Sequence, residues 1–384
     1  MNLLDLSLLI ALSTTIYVYL LYPLILFGVG LFRSQRKKTA NNIDLPKISI
    51  VIPTYNEATV IELKLEALLK TKYPKNLCEI IVVDSDSTDA TCDIVGKYRN
   101  KGVILLQQEE RLGKASAINL ALKEARGEII IISDANSEFD SNAVLRIVKK
   151  FDDETGAVLP KWVPSGKIRL WDKIFAGMHH LQHKLESKID SVFFVFGELF
   201  AFRKALVSKI DENVAADDLE IAIRIRRKNH KIKYAPNIET KEKVPRFRRE
   251  VKTQKVRRIT GILQVMNNNL DVLLNRKYGA YGLIIFPTHF LQLTLQPFLV
   301  FWLLAIFAIK LLSFLIAHQL LAVILIFLPL FLIFYLTSNK AKEIFLILYD
   351  SLATQFYMIV AIFDLLRGKR HNIWEKISST RTSP

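Results

Sequence analysis

The sequence has 384 residues, of which 51% are hydrophobic and 23% are charged, and its 53 Lys and Arg exceed its 37 Asp and Glu to give a net charge of +16. This length suffices for one large domain plus further segments. Because the apolar residues crowd both ends and the charges lie in the middle, the composition argues against an ordinary soluble domain and indicates membrane segments around a soluble centre.

The first element is the uncharged segment LSLLIALSTTIYVYLLYPLILFGVGLF, residues 6–32. It exceeds the ~20 residues needed to cross the hydrocarbon core. A cleaved signal peptide is the alternative, but its apolar core would be shorter, about 7–15 residues, with basic residues before it. Here the basic residues come afterwards, at Arg33, Arg36, Lys37 and Lys38. We therefore predict an N-terminal transmembrane helix over 1–33, with the domain behind it in the cytoplasm.

Strand and helix patterns then alternate from Leu45. The strand patterns are PKISIVIPTY, CEIIVVD, GVILLQQ and the isoleucine run GEIIII. The helix patterns between them are NEATVIELKLEALLKT, STDATCDIVGKYRN and LGKASAINLALKEARG. We expect Asn56 to cap the first of these helices. Repeated strand–helix steps predict a parallel, doubly wound sheet in which the carboxyl ends of the strands form one crevice.

Polar residues follow each of these strands. They are Thr54, Tyr55, Asn56 and Glu57 after the first, Asp84, Asp86 and Asp89 after the second, Gly113 and Lys114 before the third helix, and Asp134 and Asn136 after the fourth. The plain alternative is that they are turn residues. The sequence has no GxxxxGK[ST] loop and no GxGxxG after the first strand. These missing motifs argue against a P-loop NTPase and a dinucleotide fold.

Two later clusters consist of residues that could take part in catalysis or metal binding. Asp217 and Asp218 are adjacent carboxylates at the start of a helix pattern, which suits acid–base catalysis, although they could simply complement the helix dipole. The other cluster is His179, His180 and His183, which lacks the partner spacing of a zinc site. We expect these histidines to serve packing or interface roles. The two cysteines, Cys78 and Cys92, are expected to be core thiols in a reducing compartment.

The positive charge is local. Residues 224–258 contain fifteen Lys and Arg against three Glu, which is +12 of the total. Nucleic-acid binding is one interpretation of such a patch. Aromatic residues are sparse between the charges, however, and the patch directly precedes apolar segments. We therefore favour contact with anionic head groups, with one or two arginines on a phosphate ligand and no nucleic acid.

The C-terminal part, 279–384, contains three apolar segments, near 283–309, 314–336 and 344–366. Three crossings would leave the basic tail RGKRHNIWEK outside, against the positive-inside rule. The last segment also carries Asp350, Thr354, Gln355 and Asp364. Because ionisable groups in hydrocarbon are unfavourable, we expect that segment to lie along the interface as an amphipathic helix.

Six motifs in order carry a family resemblance: IPTYNE, IIVVDSDSTDAT, GKASAINLAL, IIISDAN, ADDLEIAIRIRRKNHKIKYAP and QKVRRITG. Together they resemble family 2 glycosyltransferases over about residues 47–265, and most of all the membrane-integrated cellulose synthase and hyaluronan synthase branch. The resemblance implies a GT-A-like α/β fold, a doubly wound, mixed, mostly parallel sheet flanked by transmembrane helices. It places the glycosyltransferase domain at 45–245 and amphipathic interfacial helices with the QxxRR motif at 246–278.

The resemblance also implies a nucleotide-sugar site. Its base and ribose would be held by Thr54, Tyr55, Glu57 and Asp84. The sequence has Asp84-Ser85-Asp86 where the family often has Asp-Asp-Gly, so the base contact sometimes made by the second Asp is not expected from Ser85. Asp86 is also assigned to the nucleotide-sugar site. Lys114 and Arg257 would meet the diphosphate. Asp134 and Asn136 occupy the Asp-x-Asp metal position, for which Mg²⁺ or Mn²⁺ is the expected cofactor.

On the acceptor side, the resemblance aligns Asp218 with the catalytic base and places Asp217 beside it. Gly197 and Glu198 resemble the acceptor-side strand, and Gln254 matches the Gln-x-x-Arg-Trp motif of processive synthases. Arg258 replaces the Trp that serves as the acceptor-sugar platform in relatives. This change weakens the case for long-chain processivity without altering the chemistry.

The expected function is an inverting, metal-dependent transfer of a sugar from a UDP-linked donor to a saccharide at the cytoplasmic face of the cell membrane, in polysaccharide synthesis. The chain would be a multi-pass membrane protein. The alternative within this class is a lipid-linked saccharide or glycolipid acceptor. From other classes, a catalytically silent nucleotide-sugar-binding scaffold and a basic nucleic-acid-binding membrane protein remain, and turnover of a nucleotide sugar would exclude both.

Overall fold

The computed structural model describes residues 3–32, 44–318, 327, 329, 331, 334–369, 373 and 376–381. The strands are β1 (Ile48–Thr54), β2 (Cys78–Asp84), β3 (Val103–Gln107), β4 (Ile129–Ser133), β5 (Glu138–Phe139), β6 (Thr155–Ser165), β7 (Leu199–Arg203) and β8 (Lys231–Lys243). The helices are α1 (Leu3–Ile16), α2 (Tyr22–Phe32), α3 (Ile61–Leu69), α4 (Thr91–Gly96), α5 (Lys114–Glu124), α6 (Ala143–Val148), α7 (Leu170–Ile189), α8 (Asp217–Arg227), α9 (Arg248–Asn268), α10 (Phe286–Thr294), α11 (Gln296–Ala317) and α12 (Asn339–Leu366).

The eight strands form one mixed sheet in the order β3-β2-β1-β4-β7-β6-β8-β5. The first four strands are parallel, as the alternating pattern predicts. β7 is antiparallel to both β4 and β6, and β6 is parallel to β8. The mixed, mostly parallel α/β architecture is therefore confirmed.

The isoleucine run of β4 shows why the sheet is stable. Ile129 and Ile131 belong to the apolar layer that also contains α3 and α6, whereas Ile130 and Ile132 belong to the opposite layer with α5 and α8. All four side chains are at most 2% exposed. A strand covered by helices on both faces buries every side chain, which explains its unbroken apolar sequence.

The start of α3 differs from the prediction. The helix begins at Ile61, so Asn56 is not its cap. Asn56 instead has a φ of +54°, and its Oδ1 accepts hydrogen bonds from the backbone N–H groups of Thr88 at 2.7 Å and Asp89 at 3.3 Å. Asn tolerates this left-handed conformation and bonds readily to nearby backbone, so it ties the turn after β1 to the turn after β2.

Three helices are long and apolar enough to cross a membrane: Leu3–Phe32, Gln296–Ala317 and Asn339–Leu366. The first matches the predicted N-terminal segment. The predicted span 283–309 is divided instead, because α10 ends at Thr294 and the long apolar helix begins at Gln296. Part of the predicted span 314–336, the basic cluster Arg33, Arg36, Lys37 and Lys38, and part of the basic tail lie outside the described residues.

The polar residues of α12 face the rest of the protein. Asp350 lies 3.5 Å from an Arg169 guanidinium nitrogen, Thr354 accepts a hydrogen bond from Lys255 at 2.9 Å, and all of its predicted polar positions are buried. The helix therefore docks on α7 and α9, while its exposed face is apolar. A helix with one apolar face and one face packed on the protein is suited to lie at the membrane interface.

Candidate active site

An open cleft lies at the carboxyl end of β4. Ten of the residues singled out in the sequence line it: Glu57, Lys114, Asp134, Gly197, Glu198, Asp217, Asp218, Gln254, Arg257 and Arg258. They come from the ends of β1 and β4, the start of β7, and helices α5, α8 and α9. The strand ends and two helices thus bring acids and cations from distant segments together, as expected for the crevice of a doubly wound sheet.

Lys114 lies at the centre of the acidic groups. Its ammonium is 2.8 Å from Asp134 Oδ1 and 3.8 Å from Asp217 Oδ2. Burial acts against the charged form, but these two carboxylates and that of Asp218 outweigh it and raise the pKa of Lys114. Gly197 provides the necessary space, since a Cβ there would lie 2.7 Å from the ammonium. The lysine therefore stays charged at neutral pH and faces the cleft.

Asp218 is the second residue of α8 and lies beside this cation. One carboxylate oxygen accepts a hydrogen bond from the Leu219 N–H at 2.8 Å. Burial and the adjacent Asp217 carboxylate raise the pKa of Asp218 to about 7, against the opposing effect of Lys114. A carboxylate with a pKa near the working pH is well suited to accept a proton. The helix start is held closely, because a Cβ on Gly261 of α9 would lie 2.9 Å from Ala215 and from Ala216 N.

Arg258 occupies the position that the resemblance assigns to Trp. Its guanidinium lies 3.2 Å from Glu198 Oε1 and 3.5 Å from Glu242 Oε2. Burial and the neighbouring Glu242 hold the pKa of Glu198 well above its usual range, against the opposing effect of Arg258. The Arg258 side chain remains 37% exposed toward the cleft. It therefore bridges two buried acids and leaves part of its surface for a ligand.

The metal position can be tested on Asn136. Its amide nitrogen lies 3.5 Å from Glu242 Oε1, whereas its Oδ1 is buried without a hydrogen-bond partner in the described part of the chain. Together with Asp134, this orphaned oxygen supplies two oxygen ligands of the kind that Mg²⁺ and Mn²⁺ prefer. Among the described residues no three His, Cys, Asp or Glu form a complete metal site. The donors fit an ion whose remaining ligands come from substrate phosphates and water.

Of the residues predicted to hold the base and ribose, Glu57 lines the cleft, whereas Thr54, Tyr55 and Asp84 lie beside it. Thr54 and Asp84 are paired in register at the ends of β1 and β2. The Asp84 carboxylate accepts hydrogen bonds from Ser87 N at 2.8 Å and Ser87 Oγ at 2.5 Å, so it also closes a turn. The ring of Tyr55 lies 3.8 Å from the Arg111 guanidinium carbon. Asp86 has a φ of +62° in the same turn.

Three features of the cleft were not singled out in the sequence. Glu242 comes from β8, whose alternating charged residues gave no clear strand signal. Arg381 reaches back to Glu57, 2.9 Å from its Oε1, and nothing in the local sequence indicates that contact. The third feature is an apolar wall at 193–196, whose three phenylalanines line the cleft. His179 and His183 pack behind it against Phe196, with ring centroids 5.5 and 5.6 Å away.

Comparison with known proteins identifies the class. The structure superposes on a mannosyltransferase from Pyrobaculum calidifontis, solved with GDP-Man and Mn²⁺, with a TM-score of 0.70, 23% identity and coverage of 94% of this chain and 99% of that one. The fold is therefore that of GT-A enzymes. Residues 49–211 match the model for glycosyl transferase family 2. The chain therefore contains a family 2 glycosyltransferase domain, which confirms the resemblance read from the motifs.

Two curated relatives extend the comparison. A probable glycosyltransferase of Bacillus subtilis is 31% identical over 251 residues, 60% of each chain. The poly-beta-1,6-N-acetyl-D-glucosamine synthase of Staphylococcus aureus is 27% identical over 214 residues, which cover 53% of this chain and 52% of the relative. This chain thus spans only about half to three fifths of the length of these relatives.

Proposed function

We propose that this chain is a membrane-embedded inverting glycosyltransferase that transfers a sugar from a UDP-linked donor to a saccharide acceptor at the cytoplasmic face of the membrane, in polysaccharide synthesis. The placement of Asp218 at the start of α8, facing a cleft that also contains Lys114 and Asp134, carries this proposal. The similarity to a polysaccharide synthase supports the product class.

The donor diphosphate would lie among the cations of the cleft. Lys114, Arg257, Arg258 and Arg381 all contribute to its lining. Burial and the neighbouring Arg258 lower the pKa of Arg257 to about 10, so it still remains protonated at neutral pH. Among the described residues Arg257 makes no ion pair. It is therefore available to bind phosphate oxygens.

Asp134 and Asn136 would hold the divalent ion against the diphosphate. When bound, the ion supplies Lewis-acid stabilisation of the leaving group. Lys114 forms an ion pair with Asp134 at 2.8 Å. Its ammonium lies beside the residues that would hold the ion, where it could also meet a phosphate oxygen of the donor.

Asp218 would remove the proton from the acceptor hydroxyl. A positioned base of this kind contributes a factor of ~10²–10⁴. Direct attack by the activated hydroxyl on the anomeric carbon, opposite the departing diphosphate, inverts the configuration. Glu198 and Arg258 lie on the acceptor side and can hydrogen-bond sugar hydroxyls without taking part in proton transfer.

A lipid-linked saccharide is the second candidate acceptor, and two observations favour it. Arg258 replaces the aromatic platform associated with long chains, and the 193–196 wall offers an apolar surface beside the membrane-associated helices. An amphiphilic acceptor could place its apolar part on that wall. The two candidates differ in the product, not in the chemistry at Asp218.

Both candidates are tested by incubating membranes that contain the chain with radiolabelled nucleotide sugars, with and without Mn²⁺ and a chelator. We expect label to enter a product only with the divalent ion. A water-soluble product of increasing size supports polysaccharide synthesis, and a product extracted into organic solvent supports the lipid-linked acceptor. Full transfer in excess chelator would remove the metal assignment, and absence of transfer from every nucleotide sugar would overturn the proposed activity.

A further inference from the structure

A lysine is buried behind the candidate metal turn. Lys64 lies in α3 and is 5% exposed. Its ammonium donates to the Ser137 carbonyl at 2.7 Å and to the Ser137 hydroxyl at 3.0 Å, and it lies 4.5 Å from the centre of the Phe139 ring. Burial lowers the pKa of Lys64 to about 7, against the opposing effect of the Asp134 and Glu138 carboxylates. The contacts with Ser137 stabilise its ammonium form, whose burial would otherwise be unfavourable. Packing alone would be served better by an apolar side chain.

Ser137 connects the two sides of the cleft. Its hydroxyl lies 2.9 Å from the carbonyl oxygen of Asp134, 2.7 Å from that of Glu198 and 3.1 Å from Ser133 Oγ. A hydroxyl has one proton to donate, whereas an ammonium can only donate. In its ammonium form Lys64 therefore donates to the Ser137 hydroxyl oxygen, and the Ser137 hydroxyl proton is left for the carbonyl oxygens of Asp134 and Glu198.

One of these two carbonyls lies on the metal and donor side of the candidate site, and the other lies on the acceptor side. Asp134 begins the turn that carries the candidate metal ligands, and Glu198 directly precedes the acceptor-side strand β7. Mg²⁺ requires ligand distances of about 2.0–2.1 Å with little tolerance, so small shifts of the turn weaken binding. A rigid junction at Ser137 would keep the metal turn in register with the acceptor strand.

We propose that Lys64 is a positioning residue that acts through Ser137 to fix the Asp134–Asn136 turn relative to Glu198. It touches neither substrate nor metal. The inference rests on the proposed function, because the turn has this importance only if it binds a metal–nucleotide complex. It assigns a role to a residue that lies outside every motif of the family resemblance.

The test compares Lys64→Met with the wild type as full-length protein in lipid nanodiscs. Met keeps an unbranched apolar stem and removes the ammonium. The measurement is the affinity for UDP in chelator and in Mn²⁺. We expect the Mn²⁺-dependent gain in UDP affinity to fall about tenfold or more, as for other residues that orient metal ligands. UDP affinity in chelator should stay within about twofold, because the strand-end contacts remain.

Lys70→Met is the matched control, since Lys70 is an exposed lysine at the end of the same helix. Its Mn²⁺ dependence should equal that of the wild type. Ser137→Ala should reproduce the Lys64→Met effect, and the double variant should add little to either single change, because both act on one junction. Thermal unfolding of each variant shows whether a weakened metal response merely follows from lost stability.

If Lys64→Met does not fold, Ser137→Ala alone decides the question. A Mn²⁺ response that stays at the wild-type level in the folded variants would overturn the role of Lys64. If the wild-type protein has the same UDP affinity in Mn²⁺ and in chelator, the metal assignment of the proposed function is overturned, and this inference with it. The two failures are therefore distinguishable.

Discussion

Asp217 and Asp218 are adjacent carboxylates at one helix start, so they allow a direct comparison. Asp218→Asn is nearly isosteric and should preserve the fold and UDP binding, but it should lower transfer by ~10²-fold or more, because a positioned base is lost. Asp217→Asn should have a much smaller effect on the rate. Purified variants are compared by UDP affinity and transfer rate.

If the two carboxylates only complement the helix dipole, the result is different. Each change would then alter stability by under about 1 kcal/mol and leave turnover similar. Equal, mild effects on the rate of the two variants would thus remove Asp218 from the mechanism. A large effect of Asp217→Asn alone would move the base assignment to the neighbouring residue.

The pH dependence of stability follows from the same residue. Burial and Asp217 raise the pKa of Asp218 to about 7, against about 3.9 for Asp in an unfolded chain. The folded state therefore holds a proton that the unfolded chain releases, so this group makes the protein less stable as pH rises from about 4 to 7. Above pH 7 the whole unfavourable contribution is present.

Asp218→Asn removes that contribution. We expect its melting temperature, relative to the wild type, to be higher at pH 8 than at pH 5, and the wild-type transfer rate to rise between pH 6 and 8 as the base loses its proton. Thermal unfolding and rate measurements over this range check both statements. If the difference in melting temperature between Asp218→Asn and the wild type does not change with pH, the pKa of Asp218 is not raised by folding.

Among the elements, α9 joins the acceptor side of the cleft to the membrane-associated helices. Arg258→Trp restores the residue of the processive motif but leaves Glu198 and Glu242 without their cation, and both are buried. Loss of a buried partner should lower stability by about 1–3 kcal/mol. We therefore expect a destabilised protein with no longer product, measured by thermal unfolding and product sizing.

Lys252→Trp serves as the control for this change, because Lys252 is exposed on the same helix and should tolerate the substitution. A stable Arg258→Trp variant that makes longer chains would contradict the structural account. It would show that the two acids do not depend on the guanidinium and that the platform alone limits product length.

The segment 376–381 closes over the nucleotide side of the cleft. Arg381 donates to both oxygens of Glu57 and is 14% exposed, while Lys376 donates to the Asn56 carbonyl. We expect Arg381→Gln to weaken UDP binding about tenfold, or 1.4 kcal/mol, because a cation facing the diphosphate is lost. Titration with UDP measures this, with exposed Arg367→Gln as the control. Tighter binding would show that Arg381 competes with the nucleotide.

The sequence predicted the elements whose pattern is local. The β1–β4 alternation follows from hydrophobic runs and turn residues, and the structure confirms the parallel arrangement of these strands. Arg381 and Glu57 meet across 324 residues, which no local pattern encodes. Lys64 also escaped attention, because a lysine in an amphipathic helix normally marks the solvent face. Arg381 lines the cleft and Lys64 lies behind its candidate metal turn, so both exceptions belong to the candidate site, where local preference gives way to function.

At the scale of the whole molecule, the membrane topology of the C-terminal part depends on whether α12 crosses the bilayer. Its middle is held to the domain through Asp350, which lies 3.5 Å from Arg169 and 4.0 Å from Arg248. The segment that follows it returns to Glu57 through Arg381. Both the middle of the helix and the chain beyond its end are therefore on the side of the catalytic domain. From these two contacts we propose that α12 lies along the membrane interface and does not cross the bilayer.

We therefore predict that both ends of α12 lie on the cytoplasmic side. In a background with Cys78→Ser and Cys92→Ser, the variants Lys340→Cys and Arg367→Cys place a thiol at exposed positions near the start and just after the end of the helix. A membrane-impermeant maleimide should label both only after the cells are permeabilised, as it should the exposed domain position Lys97→Cys. Labelling of one helix end in intact cells would show that α12 spans the membrane. Labelling of all three would show that the catalytic domain faces outward, because the interfacial packing of α12 ties the helix and the domain to one side.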